Sequence, residues 1–250
     1  MNLFQIFYQP LLNALVLIYH YLPGHSFGLA IIALTVLIRL LLYPLVSESI
    51  RFQRITADLQ PKLKEIKKIH KDDKEKQALL TMDLFKKHKV NPFGGIVLPL
   101  LIQLPILIGL YQVFYYGITS KTLASLYSFV PDPGVIDPNF FGLVNLAQGS
   151  VFMAGFAAIL QYFQTKMVTN LAVKDRGKNK EIDPMEEMQK YTLYVFPLIT
   201  VFIFYKLPSA LSLYWITSSI FSIVQQYIVL SKTRPVGAVA LESPSVAGRD

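Results

Sequence analysis

The sequence predicts an all-α integral membrane protein. Five transmembrane helices surround a hydrophilic groove, with an N-terminal interfacial helix before them and a cytoplasmic helical hairpin between the first two. Three observations carry this expectation. Of the 250 residues, 53% are hydrophobic and 16% charged, against about 25% charged in an ordinary soluble domain, and the mean hydropathy is +0.42. Five stretches approach the ~20 apolar residues that a helix needs to cross a hydrocarbon core of ~30 Å. Finally, 21 of the 24 Lys and Arg residues lie in three segments, 48–91, 166–190 and 231–250. The net charge of +8 therefore speaks to orientation in a membrane, because short loops rich in Lys and Arg stay cytoplasmic.

Residues 1–24 carry no Lys or Arg and no small-residue cleavage site, so they do not read as a signal peptide. Gln5, Gln9, Asn13 and His20 form one narrow stripe at helical spacing, and the rest of the circumference is apolar. That pattern suits a helix lying in the outer interface. A sixth span would put this uncharged end in the cytosol, against the charge rule. Span one is expected at 27–47. Residues 48–91 hold twelve Lys and Arg. Phe52, Ile55, Leu59, Leu63 and Ile66 recur at three- and four-residue steps, His70–Lys74 interrupts them, and Ala78–Phe85 resumes the pattern. This predicts two amphipathic helices joined by a charged turn.

Span two is expected at 93–118, with Pro99 and Pro105 inside it, and span three at 141–168. A cytoplasmic loop follows at 169–190. The short span four, 191–205, and span five, 209–230, form a hairpin through Lys206, Leu207 and Pro208. The connections at 119–140 and 206–208 hold one Lys each and face outward. An external N-terminus and a cytoplasmic C-terminus fit every loop. The tail, 231–250, is rich in Ala, Val, Ser, Gly and Pro and is expected to be disordered.

Cys is absent, and none of the four His residues lies in a long apolar run. The lack of Cys excludes a disulfide framework, a thiolate metal site and a Cys nucleophile, and the placement of the His residues argues against a buried His-based metal or catalytic site. There is no HExxH, phosphate loop or GxSxG, and no carboxylate pair in the spans. Neither catalysis nor a cofactor or metal is expected. The informative residue is Arg39, roughly 3 Å past the midpoint of span one at 1.5 Å per residue. No Asp or Glu in the other spans is available to pair with it. An unpaired cation at that depth needs water, carbonyl dipoles or a transient anionic ligand. Thr35, Arg39, Tyr43 and Ser47 share one helix face. Ser212, Trp215, Ser219, Ser222 and Gln226 fall in an arc of about 80° on span five at 100° per residue. Span two adds Gln103, and span three adds Gln148, Gln161 and Gln164. A wet groove is expected, lined by Thr35, Arg39, Tyr43, Gln103, Gln161, Ser212, Trp215 and Ser219. Interhelical hydrogen bonding is the plainer use of any single Ser or Gln among them.

These residues sit in runs that resemble the YidC-type membrane protein insertases, whose organellar relatives serve mitochondria and chloroplasts. The resemblance covers roughly residues 3–232. Its carriers are Thr35–Arg39 with Tyr43-Pro44, Pro61-Lys62, Val90–Gly95, Leu98–Ile106, Pro208–Trp215 and Ile223–Gln226. It implies a groove open to the cytosol and to lipid but closed outside, with Arg39 as the cation that meets substrate. Thr35 and Trp215 match substrate-contact positions, the latter one where relatives often have Tyr. The charged hairpin is implied to receive clients and partner proteins. The expected partners are nascent membrane-protein clients and the lipid bilayer. The Sec translocon, the ribosome and signal recognition particle components are candidates beside them. No small-molecule substrate is expected, the monomer is the expected working unit, and the bacterial inner membrane is the expected location. Residues 1–250 do not include the extra N-terminal span and large periplasmic domain of many Gram-negative members, nor the lipoprotein Cys of many Gram-positive ones, so the expectation is either a lineage with a short N-terminus or a trimmed chain. The short tail carries a net charge of only +1, which argues against strong ribosome anchoring through it. The competing class is a small-anion transporter or channel with Arg39 as its selectivity charge. No inverted repeat supports that class, and a pore would not require the long charged hairpin.

Overall fold

A computed structural model describes residues 3–88, 97–116, 125–173 and 184–233. Among these the chain is almost entirely helical: α1 (Leu3–Tyr21), α2 (Phe27–Leu41), α3 (Tyr43–Ile69), α4 (Lys74–Lys87), α5 (Val97–Tyr116), α6 (Val151–Val173), α7 (Pro184–Phe204) and α8 (Ser209–Lys232). A two-stranded antiparallel ladder, β1 (Asn139–Phe140) with β2 (Val144–Asn145), pairs Asn139 with Asn145 and Phe140 with Val144. The chain divides into two compact units. One comprises Met1–Tyr43, Leu100–Lys166 and Ile182–Ile223; the other comprises Pro44–Pro99, Met167–Glu181 and Val224–Asp250.

In the first unit α1 packs on α2. Leu12, Leu15 and Val16 of α1 join Ala30, Ile31, Leu34, Leu110, Val113, Ala154, Leu211 and Tyr214 in one buried apolar core. The polar stripe of α1 does not simply face water. Asn13 is 3% exposed. Its Nδ2 donates to the Ser125 carbonyl at 3.1 Å and its Oδ1 accepts from the Tyr127 amide at 2.6 Å. Gln9 Nε2 donates to the same Ser125 carbonyl at 3.1 Å. For Asn13 and Gln9 a second backbone segment supplies the polar partners that water otherwise would.

The connections are fixed by local chemistry. Ser26 caps α2, and Asp73 caps α4 by accepting from the Lys76 amide at 2.8 Å. The Ser209 amide and hydroxyl at the start of α8 both donate to the Gln148 carbonyl, at 2.8 and 2.6 Å. Gly149 lies so close to the Tyr205 carbonyl that a Cβ there would collide with it.

Several element boundaries differ from the sequence expectations. The helix of span one, expected over 27–47, stops at Leu41, and α3 begins at Tyr43. Pro44 explains the break, since it has no N–H to offer the Leu40 carbonyl and its ring crowds that oxygen. Span three was expected from Phe141, but α6 begins at Val151. Phe141 and Gly142 take left-handed φ values of 51° and 68° in the β1–β2 turn, which no helix accommodates. α6 runs on to Val173 and α7 starts at Pro184, so both enter the segment expected as a loop, 169–190. Residues 89–96, 117–124, 174–183 and 234–250, which include most of the expected disordered tail, lie outside the described residues.

Among the described residues α8 is the one unbroken helix long and apolar enough to cross a bilayer. α2 and α3 meet that test only together, as a pair broken at Leu42. α5 and α7 are 20 and 21 residues long and contain the apolar stretches Gln103–Tyr115 and Tyr191–Phe204. Alone, the 15 residues of α2 reach about 22 Å at 1.5 Å per residue.

In the second unit α3 keeps Leu59 buried, and Phe52 meets Phe85 of α4 with ring centroids 6.2 Å apart. No residue of α4 is buried. Gln225 Nε2 donates to Ser47 Oγ at 2.9 Å within the same unit, and both residues are buried.

Candidate functional site

α2 brings Arg39, in its last turn, to the face of α8 that carries Tyr214 and Ser218, all within the first unit. The two α8 residues are four apart and therefore stacked on one side of the helix. Arg39 Nε donates to Ser218 Oγ at 2.8 Å, and Nη2 donates to the same oxygen. Nη2 also reaches Gln103 Oε1 of α5 at 3.4 Å. Gln103 Nε2 in turn donates to the Tyr214 hydroxyl at 2.6 Å. An amide that accepts from a guanidinium on one side must donate on the other, so Gln103 links the cation to a buried phenol. Among the described residues the partners of Arg39 are neutral. The cation is held in place but its charge is not cancelled, and a carboxylate arriving beside it would be attracted more strongly than in bulk water.

A second network lies on an adjacent face of α8. Trp215 Nε1 donates to Gln161 Oε1 of α6 at 3.0 Å, and Thr200 Oγ1 of α7 reaches the same oxygen at 2.8 Å. Phe204 of α7 meets the indole edge-on, with centroids 5.3 Å apart and ring planes at 85°. Gln161 Nε2 is buried without a partner, and so is Ser212 Oγ.

The eight expected groove residues thus separate. Arg39 and Gln103 share one network, Trp215 and Gln161 the other. Thr35 is 2% exposed and its hydroxyl donates to the Ile31 carbonyl at 2.6 Å, within its own helix. Tyr43 is half-buried, edge-on to Phe221 at 6.5 Å. Ser212 and Ser219 are buried and take no part in either network. Three participants escaped the sequence: Ser218, Tyr214 and Thr200. Ser218 and Tyr214 could have been found by asking which α8 residues lie beside, rather than within, the polar stripe ending at Gln226.

The family described as 60Kd inner membrane protein matches residues 17–235. A protein named membrane protein insertase YidC from Fusobacterium nucleatum subsp. nucleatum is 34% identical over 207 residues, covering 83% of this chain and 87% of that protein. One of the same name from Magnetococcus marinus is 35% identical over 208 residues, covering 83% of this chain and 33% of that protein. Another, from Rickettsia rickettsii, is 34% identical over 234 residues, covering 90% and 39%. The chain therefore spans most of the first relative and well under half of the other two.

Proposed function

The chain belongs to the 60Kd inner membrane protein family, and from that membership we propose that it is a membrane protein insertase of the bacterial inner membrane. Its clients are nascent membrane proteins whose short hydrophilic segments must cross lipid. Five spans are assigned to α2 with the start of α3, α5, α6, α7 and α8. α1 is assigned to the outer interface and the α3–α4 hairpin to the cytosol. The observation that carries the mechanism is Arg39, a cation among apolar helices held by Ser218 and Gln103 rather than by a carboxylate.

Moving a polar tail through hydrocarbon is opposed by desolvation. A groove that is wet from the cytosolic side shortens the dry path, and Arg39 draws acidic residues of the tail to its end. The client's own apolar span then partitions into lipid and supplies most of the driving force. The membrane potential adds about 2.3 kcal/mol per charge per 100 mV. No step calls for a nucleotide. The Sec translocon, the ribosome and signal recognition particle components are proposed as associates on the resemblance alone.

Site-directed photocrosslinking tests this function. A crosslinker at position 103 or 215 is expected to capture an arrested single-span client. One at Gly134, on the outer connection, is expected to capture none. Equal capture at all three positions would remove the groove from the mechanism.

A further inference from the structure

We infer that Gln161 and Thr200 are positioning residues that hold the Trp215 indole in one orientation and so set the aromatic face offered to a client. The client part of this inference rests on the insertase function above; the holding of the indole does not.

An indole N–H can only donate, so the atom it meets at 3.0 Å must be the Gln161 carbonyl oxygen. That fixes the amide, and Thr200 Oγ1 reaches the same oxygen at 2.8 Å while also lying 3.0 Å from the Phe196 carbonyl. Thr200 has one proton to share between the two acceptors, which makes the indole bond the stronger constraint on Gln161. Thr200 and Phe204 are four apart on α7, on one helix face, so the same helix meets Gln161 with one side chain and the indole ring with the other. α6 and α7 together clamp the N–H and the ring, and the half-buried indole keeps a free portion.

The amide is costly where it stands. Gln161 is 3% exposed and its Nε2 has no partner. An orphaned buried donor is a penalty that Leu or Met at this position would avoid. What Gln161 contributes and they cannot is the acceptor oxygen facing Trp215.

Trp215 is the single Trp in the chain, so fluorescence of the whole protein in proteoliposomes reports on this indole alone. Gln161→Leu removes the acceptor and is expected to lower the Trp anisotropy and shift emission to the blue. Gln161→Glu keeps an acceptor oxygen at the same reach and is expected to restore both toward wild type. Thr200→Val, which conserves shape, is expected to move them less and in the same direction, and it serves if the Leu variant fails to fold. Unchanged anisotropy and emission in Gln161→Leu, or in Thr200→Val where that variant alone folds, would overturn the inference. Client insertion separates the two parts. A several-fold loss in Gln161→Leu, matched by Trp215→Leu and recovered in Gln161→Glu, supports the client-facing role. Wild-type insertion in Trp215→Leu would overturn that role and leave the spectroscopic result to stand or fall by itself.

Discussion

A guanidinium at the centre of a membrane helix costs about 2.5–3.5 kcal/mol on the insertion scale. Hydrogen bonds that involve a charged group return roughly 1.5–3 kcal/mol each. The bonds from Arg39 to Ser218 and Gln103 are therefore enough to hold the cation without a counter-charge among the described residues, which is what the proposed encounter with an acidic client requires. Ser218→Ala removes the acceptor of both Nε and Nη2. It is expected to lower stability by about 1–2 kcal/mol in detergent melts. Because the charge remains, part of the preference for acidic clients should remain too, and complete loss of that preference would show that Ser218 does more than orient the cation. Arg39 was legible because one charge interrupts an apolar run. Ser218 was not, because a Ser in such a helix is usually interhelical glue, and the sequence alone does not show which of two adjacent faces of α8 turns toward Arg39.

At the scale of elements, periodicity located the α3–α4 break, since His70–Lys74 interrupts the apolar ladder and Asp73 caps the next helix. It misses the break at Leu42, because the apolar run of 27–47 continues through Pro44, which in the structure ends α2. It also missed the β1–β2 turn, since Phe141, Leu143, Val144 and Leu146 resemble the start of an apolar helix until the left-handed φ at Phe141 and Gly142 is known. Two glycines test how tightly the elements are joined. Gly149→Ala would drive a Cβ into the Tyr205 carbonyl, and about 1–3 kcal/mol of destabilisation is expected. Gly155 lies inside α6 with nothing within 4 Å of an added Cβ. Gly155→Ala is therefore expected to stabilise by up to ~1 kcal/mol through helix propensity. Thermal unfolding of the two variants should move in opposite directions. Deleting residues 53–87 removes most of the hairpin and falls wholly within the second unit. The variant is expected to remain membrane-integrated with the first unit folded, and to insert clients poorly. Wild-type insertion by this variant would remove the receiving role from the hairpin.

For the whole molecule, the charge distribution predicts an orientation, and the Cys-free sequence is a clean background in which to measure it. A single Cys in place of Asp73 should label only from the cytosolic side, and one in place of Asp132 only from outside. Labelling of position 132 from the cytosol would contradict the five-span arrangement. The all-α class was legible from composition and hydropathy, because both average over many residues. The division of the polar residues into two networks was not, because it depends on pairings such as Arg39–Ser218, 179 residues apart. The proposed mechanism rests on the charge of Arg39, and reconstitution tests it most directly. The purified protein and its Arg39→Ala variant are placed in liposomes and offered two single-span clients, one with an acidic tail and one with a neutral tail. Both proteins should be folded, since removing the cation also removes its burial cost. Wild type is expected to insert both clients, and Arg39→Ala to lose most insertion of the acidic client while retaining most of the neutral one. Equal loss for both clients, or unfolding of Arg39→Ala, would make Arg39 a structural tether and contradict the electrostatic mechanism.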